Sequence, residues 1–549
     1  MLLFTTAVFF LKTSAQEQGS NENSSSEKFI VGAKPLDRNI FYKRYNTVKV
    51  PDEYGNTIVS YFPGNAYIDY SVSTSGNVAF NGINSPYYHV ANRQGLSSVS
   101  PNSGYLRGLV TKRMNSYKKF DYGAGIDLAG AFGFSSPFVI QQAYGELQFH
   151  CLDLMIGSKQ YWGELKNPLL SSGGMVWSGN ARPIPQVRLG IFNFTEFPWT
   201  KGWLQVRLDI AYGRFTDDKY LKNEFIKTPG WFRTTGVFYH HKNMFFRSKE
   251  SKRFIVTLGV EVSSQFRGDK YEYQYNHQTQ QMEWGYYSYV PNRAKDYWRV
   301  FLPGKGDEYT DIGDQANIYG NFFGAYHFVL EYKFKNRSRL KTYFEWFFDD
   351  MSGVYRENGF DGLWGIEYNF GKKGIVTDVV VEYLETINQS GPLHWIPDDC
   401  PHCQVRERPV GGADNYYNNY YYNAWAHWGM TAGTPLIVSP AYNRDGYLCI
   451  TNNLVRALHI GVSGYFRPEW NYRLLTSYNR GWGTPLLPLP KAVYSTSVMV
   501  EVTYSPYRCW GWSFLASYAF DVGTLYGNNS GVSLRIRKSG TLFHWFDKL

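Results

Sequence analysis

Beyond its first dozen residues the sequence has no apolar run of the roughly 18 residues that a membrane-spanning helix requires, and its mean hydropathy is −0.40. Helical membrane spans are therefore excluded. There is no G-x-S-x-G and no H-E-x-x-H, so two common arrangements of nucleophile or metal with base are missing, and no enzymatic activity is expected. His150, His327 and His459 fall on or near the polar faces of strand patterns, where a lone His is a hydrogen-bonded wall residue before it is a base. Cysteine is scarce, at five in 549 residues. None stands directly after the cleavage site expected behind the N-terminal apolar segment, which argues against a lipoprotein anchor. A second C-x-x-C to complete a zinc site with Cys400-Pro-His-Cys403 is also missing, so no metal or cofactor is expected. In an exported chain Cys400 and Cys403 are disulfide candidates, paired with each other or one of them with Cys449. The net charge of +10 is dispersed, without the long basic run of a nucleic-acid binder, and acidic glycans or lipopolysaccharide suit it better.

What is abundant is ring surface: 46 Tyr, 38 Phe and 17 Trp, beside 53 Gly. Many aromatics, many glycines and low hydropathy together fit a large outer-membrane β-barrel, in which each strand alternates a lipid-facing with a lumen-facing residue. The alternation is explicit. Within 122–134, Tyr122, Ala124, Ile126, Leu128, Phe132 and Phe134 oppose Gly123, Gly125, Asp127, Ala129, Ala131 and Gly133. Val206, Leu208 and Ile210 oppose Arg207, Asp209 and Ala211, and Leu534 and Ile536 oppose Arg535 and Arg537. The apolar faces end in rings such as Tyr212, Phe266, Phe466, Tyr504 and Phe520, the girdle expected where lipid meets water.

Strand starts near Gly104, Tyr122, Ile140, Cys151, Gln186, Trp203, Trp231, Phe254, Phe323, Lys341, Gly362, Val376, Asn423, Leu454, Glu469, Ser495, Trp512 and Ser530 give about 18 strands. The expected fold is all-β: a transmembrane antiparallel barrel with long extracellular loops plugging the lumen. Residues 57–62 and 66–72 form either an N-terminal hairpin or the opening strands. Links 336–340, 371–374 and 467–468 are short, and 159–185, 268–321 and 388–422 are long. This is the alternation of inner turns and outer loops. Residues 1–15 read as a signal peptide ending in Thr13-Ser14-Ala15, 16–56 as a flexible or periplasmic segment, and 57–549 as the barrel, placed in the outer membrane.

Two long segments mix Trp and Tyr with Asn, Gly and Arg: 158–186 and 411–428. Rings and side-chain amides suit the CH faces and hydroxyls of sugars; the same rings also suit packing inside the barrel mouth. Tyr161, Trp162, Trp177, Asn180, Arg182, Tyr416, Tyr417, Tyr420 and Trp425 are the candidates for glycan contact or for that packing. Arg182, held beside Pro183 and Pro185, needs a carboxylate or carbonyls, with Asp209 and Glu164 as candidate partners. Trp162 and Tyr417 are expected at exposed positions whose loss leaves folding intact.

The run Tyr161-Trp162-Gly163, Trp177-Ser178-Gly179-Asn180-Ala181-Arg182-Pro183-Ile184-Pro185 resembles the signature of the Wzi capsule-assembly family. The SSGG at 171–174 and ADNYYNNY at 413–420 resemble its Bacteroidetes-type branch. The resemblance implies a monomeric outer-membrane barrel of about 18 strands with a lectin-like role in attaching or organising capsular polysaccharide. Its partners would be that polysaccharide, outer-membrane lipids and lipopolysaccharide, and the barrel-assembly machinery, with no nucleic acid. The chain departs from the family where 27–50 shows no helical period for an N-terminal helical element. A porin or sugar-uptake channel is the alternative that the same lumen charges allow.

Overall fold

A computed structural model describes residues 48–51, 57–61 and 65–546, except 115–118, 164, 225–230, 290–291, 311–313, 316–317, 350, 390–392, 396–408, 412–413 and 507–510. The signal-peptide reading, Glu164, Cys400 and Cys403 lie outside the described residues.

Eighteen antiparallel strands close into a barrel. In chain order they are β1 (Asn65–Asn81), β2 (Asn102–Lys112), β3 (Phe120–Phe132), β4 (Phe138–Phe149), β5 (Leu152–Ser158) and β6 (Gln186–Glu196). Then come β7 (Leu204–Arg214), β8 (Phe238–Ser248), β9 (Phe254–Phe266), β10 (Asn321–Lys333), β11 (Arg339–Phe348) and β12 (Gly362–Asn369). The last six are β13 (Asp378–Glu385), β14 (Val455–Arg467), β15 (Trp470–Gly483), β16 (Pro488–Tyr504), β17 (Trp512–Gly523) and β18 (Asn529–Phe546). Each pairs with its neighbours in sequence, and β18 closes on β1 from Ser530↔Asn81 to Phe546↔Asn65. Closure leaves no sheet edge unpaired in lipid.

The alternation expected from sequence is the alternation observed. In β3 the odd side Asp121, Asp127 and Ala129 is buried, while Phe120, Tyr122, Ile126, Leu128 and Phe132 are exposed on the outside. Rings mark one end of the wall, where Trp470 stacks on Tyr504 at 4.5 Å and Phe466 on Tyr472 at 4.7 Å. This apolar exterior with aromatic ends is that of an outer-membrane barrel. The inner face is polar and paired. Arg188 forks onto Asp209 with two 2.7 Å bonds, Asn243 adds a third at 2.8 Å, and Arg473 meets Glu501 at 2.8 Å. A guanidinium fork matches a carboxylate geometrically, which limits the desolvation cost of burying both.

Three expectations are corrected. Asn423 begins no barrel strand; it pairs only in a two-residue ladder, Asn418–Asn419 with Asn423–Ala424. Of the two alternatives for 57–62 and 66–72, the opening-strand reading holds for 66–72, which lies in β1 with Asp69, Ser71, Ser73, Ser75 and Asn77 inward, while Thr57–Tyr61 pairs with Val48–Pro51 outside the barrel. The strand placed at Trp231 starts at Phe238, and Phe232–Thr235 belongs to a separate three-stranded sheet. His150 is not on the lumen: it sits exposed in the tight turn between β4 and β5 at φ 55°.

Every link on one side of the barrel is short and the long loops all lie on the other, so that side faces outward. One of the long loops folds over the wall instead of the mouth. Its helix, Ala294–Phe301, sets Tyr297 against Tyr212, Phe238 and Phe266 on the outer face. Lys242, which points outward from β8, donates to the carbonyls of Val300 and Phe301 at the end of that helix. A helix C-terminus favours a cation, so the contact removes a lysine that the strand pattern would otherwise leave against lipid.

Candidate functional site

The mouth of the barrel is built by two inward-folded segments and the loops that meet them. The first is residues 159–185. From Ser158 it drops along the lumen until Leu165 accepts from Lys341 Nζ at 2.9 Å and Leu169 accepts from Arg473 at 2.9 Å. Lys341 lies two residues, and Arg473 three, from the short-link ends of β11 and β15, so the segment reaches the inner third of the barrel. It then climbs back along wall carboxylates. Ser171 Oγ and Ser172 N–H donate to Glu382 at 2.7 and 2.6 Å, Met175 N–H donates to Glu345 at 2.8 Å, and Lys166 pairs with Glu345. Backbone donors thus neutralise carboxylates that the strands bury, a requirement in a water-poor interior. His459 is a hydrogen-bonded wall residue here: its Nε2 is 2.7 Å from the Leu170 carbonyl and its Nδ1 3.0 Å from Tyr88 Oη. His327 is held between Glu261 and Glu345 at 3.2 and 3.3 Å.

The second segment, 414–453, packs onto the first. Trp177 is buried with Tyr161 stacked on it at 4.9 Å, Trp425 crosses it edge-on at 6.5 Å, and Trp425 Nε1 donates to the Val176 carbonyl at 2.9 Å. Tyr417 Oη donates to the Met175 carbonyl, and Tyr416 Oη bonds Asn358 at 2.7 Å. Asn180 ties three strands of loop together: its Nδ2 donates to the Thr431 carbonyl and hydroxyl at 2.9 Å each, and its Oδ1 accepts from Asn92 N–H at 3.2 Å. Gly179 has no alternative, since a Cβ there would sit 2.2 Å from the Trp162 ring. The S-G-N-A-R-P run is therefore read in the structure as a packing motif.

Of the nine candidates, Trp177, Asn180, Arg182, Tyr416, Tyr417 and Trp425 are buried, Tyr161 and Trp162 are half-buried, and Tyr420 is 67% exposed. Tyr417 is thus not the exposed ring expected. Arg182 does not meet Asp209, which Arg188 occupies. Its Nε donates to the Gly95 carbonyl at 3.3 Å and its guanidinium lies over Trp428 at 4.3 Å.

Around Arg182 the loops form a rim cluster that sequence reasoning missed. Asp217, just beyond β7, accepts from Trp428 N–H at 3.0 Å, and burial pushes its carboxyl up to about 7. His427 is fixed by two neighbours. Thr216 N–H approaches Nε2 at 3.2 Å, so Nε2 is the acceptor and Nδ1 carries the proton toward the Arg182 carbonyl at 2.9 Å. Burial pushes His427 down to about 4 and Arg182 down to about 10. Beside this cluster opens a small cleft, partly open to solvent, lined among others by Asp217, Tyr220, Thr234, Gln265, Tyr422 and Asn423. Rings, a carboxyl, a hydroxyl and amides converge there, the mix that holds a polyhydroxylated ligand. The only sequence signal for it was Thr216-Asp217-Asp218 interrupting an alternating pattern.

No family model matches the chain, and no curated protein matches it in sequence. Among solved structures it is similar to Wzi of Escherichia coli, described as an outer membrane protein involved in group 1 capsule assembly and a carbohydrate-binding β-barrel. That match has 12% identity over 86% of this chain and 84% of the other, with a TM-score of 0.50. It also resembles two Pseudomonas aeruginosa proteins. For OccK5 the identity is 7% over 87% of this chain and 99% of that one, with a TM-score of 0.43; for OpdQ it is 11% over 87% and 98%, with a TM-score of 0.41. At these identities the likeness to Wzi concerns the fold: the chain is an outer-membrane β-barrel of that architecture.

Proposed function

We propose that the chain is a surface lectin of the outer membrane that holds capsular polysaccharide at the cell exterior, related to the Wzi capsule-assembly proteins. The observation that carries the reading is the use made of the lumen. Residues 159–185 run to the inner third of the barrel and are bonded there to Lys341 and Arg473, and 414–453 seals over them through Trp425 and Tyr417. A lumen spent on loop packing serves a closed binding protein better than a channel. The rim cleft at Asp217, Tyr220 and Asn423 supports it with a ring, a carboxyl and an amide on the outward side. The SGNARPIP run and the Wzi-like architecture agree with that reading. The test is capture of purified capsule from the producing strain by the purified barrel, with a Tyr220→Ala variant that weakens capture. Absence of capture by the wild type would defeat the proposal.

A porin is the second reading, favoured by one region. Ser71, Ser73, Arg107, Arg535 and Arg537 line a small polar cavity on the wall between β18 and β2, and such a wall suits anion passage. Steady conductance of the pure protein in planar bilayers would establish it.

A further inference from the structure

The three-stranded sheet outside the barrel has an unused face. Asp269–Asn276 and Gln281–Tyr289 form a hairpin, and Phe232–Thr235 adds a third strand. The register sets Tyr271 opposite Tyr286, Tyr273 opposite Trp284 and Tyr275 opposite Met282, so five rings share one face by the two-residue period of a strand. They pack across the two strands, Tyr271 and Tyr286 at 5.6 Å and Tyr273 and Trp284 at 5.2 Å. Tyr275 is 49% and Tyr286 55% exposed. The opposite face holds the sheet in place. There Lys270 sits over Tyr420 at 3.9 Å and Phe232 at 4.2 Å, which fixes the hairpin to the tip of the second inward segment.

Arg233 makes this face more than a stack of rings. It is only 9% exposed and lies 4.2 Å over Trp284 and 5.6 Å from Tyr271. Its Nε finds no hydrogen-bond partner among the described residues, and no carboxylate among them pairs with it. A guanidinium flanked by ring faces, with a buried Nε that has no partner among the described residues, favours an anion beside it. Its neighbour Thr234 lines the rim cleft, so this short strand joins the cleft to the hairpin.

We infer that the Tyr271–Tyr273–Tyr275–Trp284–Tyr286 face, with Arg233 beside it, binds an extended acidic polysaccharide. The rings take the CH faces of successive sugars, and Arg233 takes a carboxylate of the chain. A run of rings along a strand suits a linear polymer rather than a single sugar. A cation without a counter-ion among the described residues, in a chain of net charge +10, selects an anionic polymer over a neutral one. The inference rests on the polysaccharide-binding reading above and places the polymer on the hairpin as well as in the cleft.

The test uses the full-length barrel in detergent, with polygalacturonate as the acidic probe and dextran as the neutral one, and heat-modifiability as the folding control. The expected results are that polygalacturonate binds and quenches Trp fluorescence, and that Tyr273→Ser and Trp284→Ser each weaken binding about tenfold. Arg233→Gln should weaken polygalacturonate binding while leaving any dextran binding unchanged. If the wild type binds neither probe and no host capsule, the lectin reading itself falls. If it binds while all three hairpin variants bind equally well and Tyr220→Ala does not, the cleft is the site and this inference is overturned alone. Equal binding of dextran, unaffected by Arg233→Gln, overturns the acidic class. A dimer of the wild type that Trp284→Ser dissociates would instead assign the face to a second copy of the chain.

Discussion

Two Tyr-rich stretches of similar composition end in opposite environments. Residues 414–428, DNYYNNYYYNAWAHW, lie inside the barrel mouth, while 271–289, YEYQYN through EWGYYSY, stands outside it. The difference lies in what separates the rings. In the inner stretch asparagines carry the backbone. Asn419 Oδ1 accepts from Tyr421 and Tyr422 N–H, Asn418 Nδ2 donates to the Ile450 carbonyl at 2.9 Å, and Asn453 Nδ2 donates to the Tyr416 carbonyl at 2.7 Å. Side-chain amides that replace ladder bonds permit irregular chain in a buried place. Backbone strain marks the same stretch, with Tyr417, Asn423 and Trp428 all at positive φ. In the outer stretch Tyr alternates with Glu, Gln or Gly, the ladder satisfies the backbone, and the rings are left to one another. The lesson is that ring content alone does not separate packing from binding, whereas the residues between the rings do.

The sharpest way to break this comparison is to truncate one ring from each stretch. Trp425→Ala should cost about 3–5 kcal/mol, because the ring is fully buried against Trp177, Tyr239 and Phe323 and leaves the Val176 carbonyl unpaired. Urea unfolding in detergent should show the drop, and a wild-type midpoint would refute the packing role. Tyr417→Phe comes next, at about 1–3 kcal/mol for stranding the Met175 carbonyl and the Thr434 N–H, read by the same titration. Tyr275→Ala should fall within about 0.5 kcal/mol of wild type, as an exposed substitution does.

Asp217 gives a pH-dependent version of the contrast. Its folded carboxyl, raised to about 7, lies above the unfolded value of 3.8. Its contribution to stability is therefore fully present below about pH 3.8 and is lost as pH rises through 7. His427, lowered to about 4 from 6.5, works the other way: its contribution is present above 6.5 and lost as pH falls through 4. Protection of residues 231–237, corrected for the intrinsic rise of exchange with pH, should fall relative to Asp217→Asn as pH rises from about 4 to 7, while the outer hairpin 269–289 shows no such difference. Parallel responses in the two regions would contradict the assignment.

The wall was legible in the sequence because each strand writes its own environment in a two-residue period. Seventeen of the eighteen strands lie where alternation put them, to within a few residues for most and seven for β8 and β16. β1 was marked only over 66–72, as one of two alternatives, because it turns Ser71, Ser73 and Ser75 inward and Val72, Thr74 and Gly76 outward, which is little contrast. The Asn423 stretch is rich in rings, yet its pairing stops at the two-residue ladder with Asn418–Asn419. The site was less legible, since its contacts join residues far apart in sequence: Asn180 to Thr431, Arg182 to Trp428, Lys166 to Glu345. Sequence marked the right segments and could not say which rings would face solvent. Arg233 carried no local pattern, and Asp217 only the break at Thr216-Asp217-Asp218.

Single-channel recording of the purified full-length barrel in planar bilayers tests the central claim most directly, because the claim is that the inner aromatic stretch closes the lumen and the outer one binds. The account predicts no steady opening for the wild type, and stepwise conductance once Trp425→Ala loosens residues 414–453 from 159–185. Steady, large conductance from the wild type, unchanged by Trp425→Ala, would contradict it.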